Sequence, residues 1–223
     1  MVLRRSPLAL TVATVAVLMG GGDNFLEVEH PGVVEEDSID PVADAEVFSL
    51  SAQTDLFNAY DNVVVYGAFF TGEAWVDDTY AGRKDVARRD VNDRDALLVS
   101  DLYQPLALAA TSNLKVLEML RGTGREVSVS SARAALHLGY ALQVMAETFC
   151  EGVLALGAPM TQQETSRLAI GYFARAMELG EAVGNQQFVH AARVGMARAY
   201  LQVGEYAAAA AAAGGAPPLL VVG

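Results

Sequence analysis

The chain has 223 residues, 52% of them hydrophobic and 19% charged, with 27 Asp and Glu against 15 Lys and Arg for a formal net charge of −12. That length suffices for one sizeable core, and the acidic balance with no Lys/Arg stripe disfavours nucleic acid as a partner. A single cysteine, Cys150, excludes an internal disulfide framework and any multi-cysteine zinc site, and heavy use of alanine beside only 7 prolines favours helices.

The first residues differ in kind from the rest. Arg4 and Arg5 precede an apolar stretch from Leu8 to Met19, then Gly20, Gly21 and Gly22. This reads as an export signal over 1–22, because a helix of that stretch spans about 18 Å against a hydrocarbon core of roughly 30 Å. The Leu18-Met19-Gly20 run has the form of a lipoprotein signal, but Gly21 or Gly22 occupies the position expected for the lipid-accepting cysteine, so no lipidation is expected. Residues 23–48 are acidic and broken by Pro31 and Pro41, and are expected to form an extended solvated arm. Its carboxylates lack the spacing and central glycine of a calcium loop.

From Ser49 to Asn62, Leu50, Leu56, Phe57 and Tyr60 have helical spacing, and Val63–Phe70 reads equally as a strand or as that helix continued. Thr71–Asp95 is the most irregular stretch. It holds Trp75, the one tryptophan, beside Asp77, Asp78 and Tyr80. An aromatic face flanked by acceptors is what a sugar-binding platform requires, since C–H groups stack on the ring and hydroxyls donate to carboxylates; Trp75 reads alternatively as a hydrophobic plug that pins the loop. Asp90–Asp95 imitates the start of a calcium loop, but Arg94 occupies a liganding slot, so Asn92 or Asp93 is expected to cap the next helix. No metal site is expected.

Beyond that cap the sequence turns helical. Leu98, Leu102, Leu106, Ala109, Ala110, Leu114, Leu117 and Leu120 form one broad stripe that ends at Arg121-Gly122-Thr123-Gly124. A second helix opens near Ser130 and runs to about Phe149, burying Ala135, Leu138, Leu142 and Met145. Thr161-Gln162-Gln163-Glu164 is a capping box that starts a third helix carrying Ala169, Phe173, Ala176 and Leu179. A fourth is expected from Gln187 to Val203 and a fifth from Tyr206.

Three histidines, His30, His137 and His190, lie far apart in no metal-binding or catalytic pattern, and no serine sits in a Gly-x-Ser-x-Gly elbow. His137 and His190 read as surface or partly buried helix residues, and Cys150, beside Phe149 and Met145, as a small buried hydrophobe. Glu73 with Asp77 or Asp78 reads as solvated loop acid rather than a hydrolytic pair. The chain is therefore expected to bind and not to catalyse, with no cofactor.

The helices carry a repeat signature. Tetratricopeptide repeats are helix pairs of 34 residues in which small residues admit close approach and aromatics fill the gaps. Leu138-Gly139 with Ala169, Phe173 and Ala176 matches one copy containing an insertion, and Ala197, Tyr200, Leu201, Gly204, Tyr206 and Ala209 match a second. The expected fold class is mainly α: tetratricopeptide-like helical hairpins (an α-α superhelix) with irregular inserted loops, over residues 49–223.

Taken together, the signal ending near Gly21-Gly22, the segment Asp23–Glu29, the helix with Leu102-Tyr103-x2-Leu106 through Asn113, the Ala146–Gly152 turn and the Ala197-Arg198-Ala199-Tyr200-Leu201-x2-Gly204-x-Tyr206 repeat resemble the SusD/RagB family. The resemblance covers nearly the whole chain but only the amino-terminal half of a member, so a helical domain truncated at its C-terminus is expected. It implies a nutrient-binding protein on a tetratricopeptide-like scaffold that assists a TonB-dependent (SusC-like) outer-membrane transporter importing an oligosaccharide or peptide. It implies export, with residence at the outer membrane if anchored and otherwise in the periplasm. The reading from another class is a periplasmic helical scaffold that binds a protein segment and has no small-molecule site.

Overall fold

The computed structural model describes residues 38–92 and 95–217. The expected export signal, Gly21 and Gly22, the arm as far as residue 37, and Asp93 lie outside the described residues. Contacts divide the chain into Met1–Ile39 and Asp40–Gly223, and every element below belongs to the second unit.

The fold is mainly helical. Helix α1 covers Ala45–Thr71. It starts inside the span expected to be an extended arm, because a turn at Asp40 leads straight into it: the Asp40 carboxylate accepts from the Val42 and Ala43 amides at 2.8 and 2.9 Å. Those two donors hold the Asp40 carboxyl below its ordinary pKa. The ambiguous run Val63–Phe70 continues α1 instead of forming a strand. Gly72 then ends the helix in the left-handed region at φ 84°, its amide returning to the Ala68 carbonyl at 3.1 Å.

The stretch expected to be wholly irregular contains α2, Ala81–Arg88. Arg89 closes it at φ 62°. Its Nε donates to the Phe70 carbonyl at 3.0 Å and its guanidinium lies 5.9 Å from the Phe70 ring centroid, which fixes the end of α2 to the end of α1. The next cap is Asp95, not Asn92: its carboxylate accepts from the Leu97 amide at 2.9 Å, two residues on as N-cap geometry requires.

From there one turn, Ala96–Leu98, passes through a π-helical segment, Val99–Tyr103, into α3, Gln104–Met119. Pro105, in the first turn of α3, carries no N–H to return to the Asp101 carbonyl beside this widened turn. Helix α4, Val129–Thr148, is capped by Ser128, whose hydroxyl accepts from the Ser131 amide at 3.1 Å. It is buried on nearly every side, which explains its continuous Ala/Leu/Val/Met composition. Strands β1 (Glu151–Gly152) and β2 (Met160–Thr161) pair antiparallel and pinch the loop between them.

The Thr161–Glu164 capping box is present with both reciprocal bonds at the start of α5, Gln162–Ala182. Asn185 caps α6, Gln186–Gln202, by accepting from the Gln187 and Phe188 amides, and α7 covers Tyr206–Gly214. Consecutive helices from α3 to α7 pack on one another, and α1 packs on α3 and α4.

At the centre lies Phe173 on α5, fully buried. Its ring meets Tyr140 of α4 edge-on at 4.9 Å. A Cβ added at Gly139 of α4 would fall 2.8 Å from that ring, and one at Gly195 of α6 would fall closer still. Both helices approach Phe173 through glycine; of the two, only Gly139 belongs to the repeat pattern read from the sequence. No described helix is long and apolar enough to cross a membrane.

Candidate functional site

The loop between α1 and α2 places the four predicted ligand-binding residues unequally. Trp75 is 89% exposed. The plug reading is thereby corrected: Val76, the next residue, is the buried one. Asp77 is exposed, and Tyr80 is 60% exposed. Asp78 faces inward to a structural task. Its Oδ1 accepts from the Tyr80 amide at 2.8 Å and its Oδ2 pairs with Arg83 of α2 at 3.1 Å, while Arg83 also lies 5.3 Å from the Tyr80 ring centroid.

That ion pair extends into the helices. Tyr66 of α1 donates its hydroxyl to the Asp101 carboxylate at 2.6 Å, and Arg83 reaches the same phenol. Burial and the Asp101 bond together hold the Tyr66 hydroxyl above its ordinary pKa, so it remains a donor. The Asn62 amide donates to the Asp101 carbonyl at 3.0 Å. Polar contacts thus join Asp78 to Arg83 and Tyr66 to the π-helical turn, beside the loop that carries the exposed Trp75.

A cavity elsewhere has no counterpart among the sequence expectations. A cavity of about 230 Å³ opens between α1, α4 and α6, lined by Leu56, Phe57, Tyr60, Leu136, His137, Tyr140, Val144, Ala191 and Arg198. Arg198 makes a two-pronged pair with Glu147 of α4, and Gln143 donates to the same carboxylate at 2.9 Å. Tyr140 donates to the Ala191 carbonyl at 2.8 Å, and burial pushes its pKa up to about 12. His137, expected on the surface or partly buried, is only 5% exposed. Burial pushes its pKa down to about 4, so the imidazole is neutral at neutral pH.

The sequence signals for this cavity point elsewhere. Tyr60 and Tyr140 fit helical core stripes, and Arg198 lies inside the Ala-Arg-Ala-Tyr repeat motif, so none of the three reads as convergent. Cys150 is also corrected: it is exposed, because it follows the end of α4 where the chain turns outward into β1. Among the described residues no group of three or more His, Cys, Asp or Glu side chains gathers as a metal site would. A scan against protein-family models, a search of curated proteins and a search of solved structures each found no match to this chain.

Proposed function

We propose that this is a SusD-like nutrient-binding protein, exported, that captures an oligosaccharide or peptide for a TonB-dependent outer-membrane transporter and performs no chemistry on it. The single observation that supports this reading is Trp75, almost fully exposed on a loop that Asp78, Arg83 and Tyr66 hold in place. An indole face left in water on a supported loop is free for a ligand to stack on, and exposed Asp77 and Tyr80 supply an acceptor and a second ring beside it in sequence. Asp78, engaged by Arg83, positions the loop and does not meet the ligand.

The test is a titration of Trp75 fluorescence with a panel of oligosaccharides and short peptides. A saturable change with one class, with the affinity lost by calorimetry in Trp75→Ala at unchanged helix content, supports the reading. A folded protein whose fluorescence responds to nothing in the panel opposes it.

The scaffold reading has its own support. Leu50, Phe57, Tyr60 and Val64 of α1 are each at least 40% exposed and share one helix face at i, i+7, i+10 and i+14. With consecutive helices packed pairwise, that face would line one side of a short tetratricopeptide-like superhelix and take a protein segment. Leu50→Asp with Val64→Asp then removes partner binding, whereas Trp75→Ala changes nothing.

A further inference from the structure

The cavity between α1, α4 and α6 has a defined chemistry. Its walls are three aromatic rings, Phe57, Tyr60 and Tyr140, one imidazole and aliphatic side chains. An apolar cavity of about 150 Å³ admits benzene, so a volume of about 230 Å³ takes a substituted single ring or a fused pair. Two of the four polar side chains on the wall are engaged. The Tyr140 hydroxyl is committed to the Ala191 carbonyl. Arg198 is committed to Glu147, whose carboxylate cancels its charge and repels a ligand anion.

Besides the Tyr60 hydroxyl, His137 is the exception. Its Nδ1 lies 2.8 Å from the Arg133 carbonyl, which only accepts, so Nδ1 carries the proton of the neutral ring. The lone pair is therefore on Nε2. Phe57 meets this imidazole edge-on at 5.9 Å, which orients the ring in the wall. A ring-nitrogen acceptor set among aromatic faces favours an aromatic ring that carries a donor.

We infer that this cavity binds a neutral aromatic group bearing a single ring N–H or O–H, of phenol to indole size, which donates to His137 Nε2 while its ring packs between Phe57, Tyr60 and Tyr140. The group arrives as a free small molecule or as the Tyr or Trp side chain of a peptide. The site is separate from the Trp75 loop and stands whether or not that loop binds a nutrient.

The full chain is titrated by calorimetry with indole, 4-methylphenol, toluene and N-acetyltryptophanamide. Indole and 4-methylphenol bind saturably at one site. Toluene, which has the ring without the donor, binds about tenfold more weakly, since it leaves the histidine lone pair unmet. Tighter binding of N-acetyltryptophanamide than of indole identifies a peptide side chain as the occupant, and the reverse order identifies a free small molecule. Val144→Phe fills the cavity and abolishes binding. Phe57→Leu, at a half-exposed position that tolerates the change, weakens binding severalfold at an unchanged melting temperature, and Trp75→Ala leaves it intact. Equal affinity for toluene and indole, absence of saturable binding, or binding indifferent to Phe57→Leu in the folded protein overturns the inference.

Discussion

Asn62 supplies the hydrogen bond that Pro105 withholds. Pro105 has no N–H for the Asp101 carbonyl four residues before it, and the Asn62 amide, on another helix, donates to that oxygen at 3.0 Å. The irregular turn at the start of α3 is therefore bound to α1 by a bond that a regular helix would have kept to itself. Asn62→Ala is expected to cost about 1 kcal/mol in urea denaturation. In a Pro105→Ala background that cost should shrink, since an alanine there can supply the missing amide; an undiminished cost in the double variant contradicts the account.

Tyr66 joins the same turn to the Trp75 loop. Tyr66→Phe keeps the ring and removes the donor to Asp101, with an expected loss of about 1 kcal/mol and a fall in Trp75 fluorescence anisotropy as the loop loses its support. Anisotropy unchanged from the parent protein would detach the loop from this polar chain.

Phe173 fits because two helices offer it glycine. Gly195→Ala, and to a lesser degree Gly139→Ala, pushes a methyl group into its ring, so about 1–3 kcal/mol of destabilisation is expected from each. Phe173→Leu in the Gly195→Ala background should recover part of the loss. Thermal melts of the four proteins in this cycle measure the coupling, and strict additivity would separate the two residues.

His137 ties stability to acidity. Its folded pKa is about 4 against the ordinary 6.5, so on acidification the unfolded chain takes up the proton first. Stability is accordingly full above pH 6.5 and is lost as pH falls from 6.5 towards 4. At about 1.4 kcal/mol per unit of pKa difference, roughly 2 kcal/mol goes between about pH 6.5 and 5. Urea midpoints of the parent protein should fall across that window, and those of His137→Gln should stay nearly level.

The elements legible in the sequence are those fixed by residues close together in the chain. The Thr161–Glu164 capping box, the stops after Met119 and Gln202, and the core positions Leu138, Ala169, Phe173 and Ala176 follow from side chains within a turn or two of each other. Val63–Phe70 stays ambiguous in sequence because β-branched and aromatic composition favours a strand, and packing of Ala59, Val63 and Tyr66 against α3 and its neighbours decides for helix. The helix Ala81–Arg88 escapes a sequence reading because its charged residues give no apolar stripe, and Val86 is its single buried residue.

Site residues are legible in the same limited way. Trp75 stands out in any reading of the chain, but its exposure depends on which of two neighbours, Trp75 or Val76, turns inward. The cavity is invisible for a different reason: Phe57, His137 and Arg198 come from three helices far apart in sequence, and each alone fits an ordinary helix face.

Cys150, exposed and without a second thiol anywhere in the chain, makes the molecule selectively addressable. One maleimide dye placed there by simple alkylation, with Trp75 as the one indole donor, gives a matched optical pair without altering a residue. Energy transfer between them reports the distance from the Gly72–Tyr80 loop to the end of α4, with the cavity empty and filled.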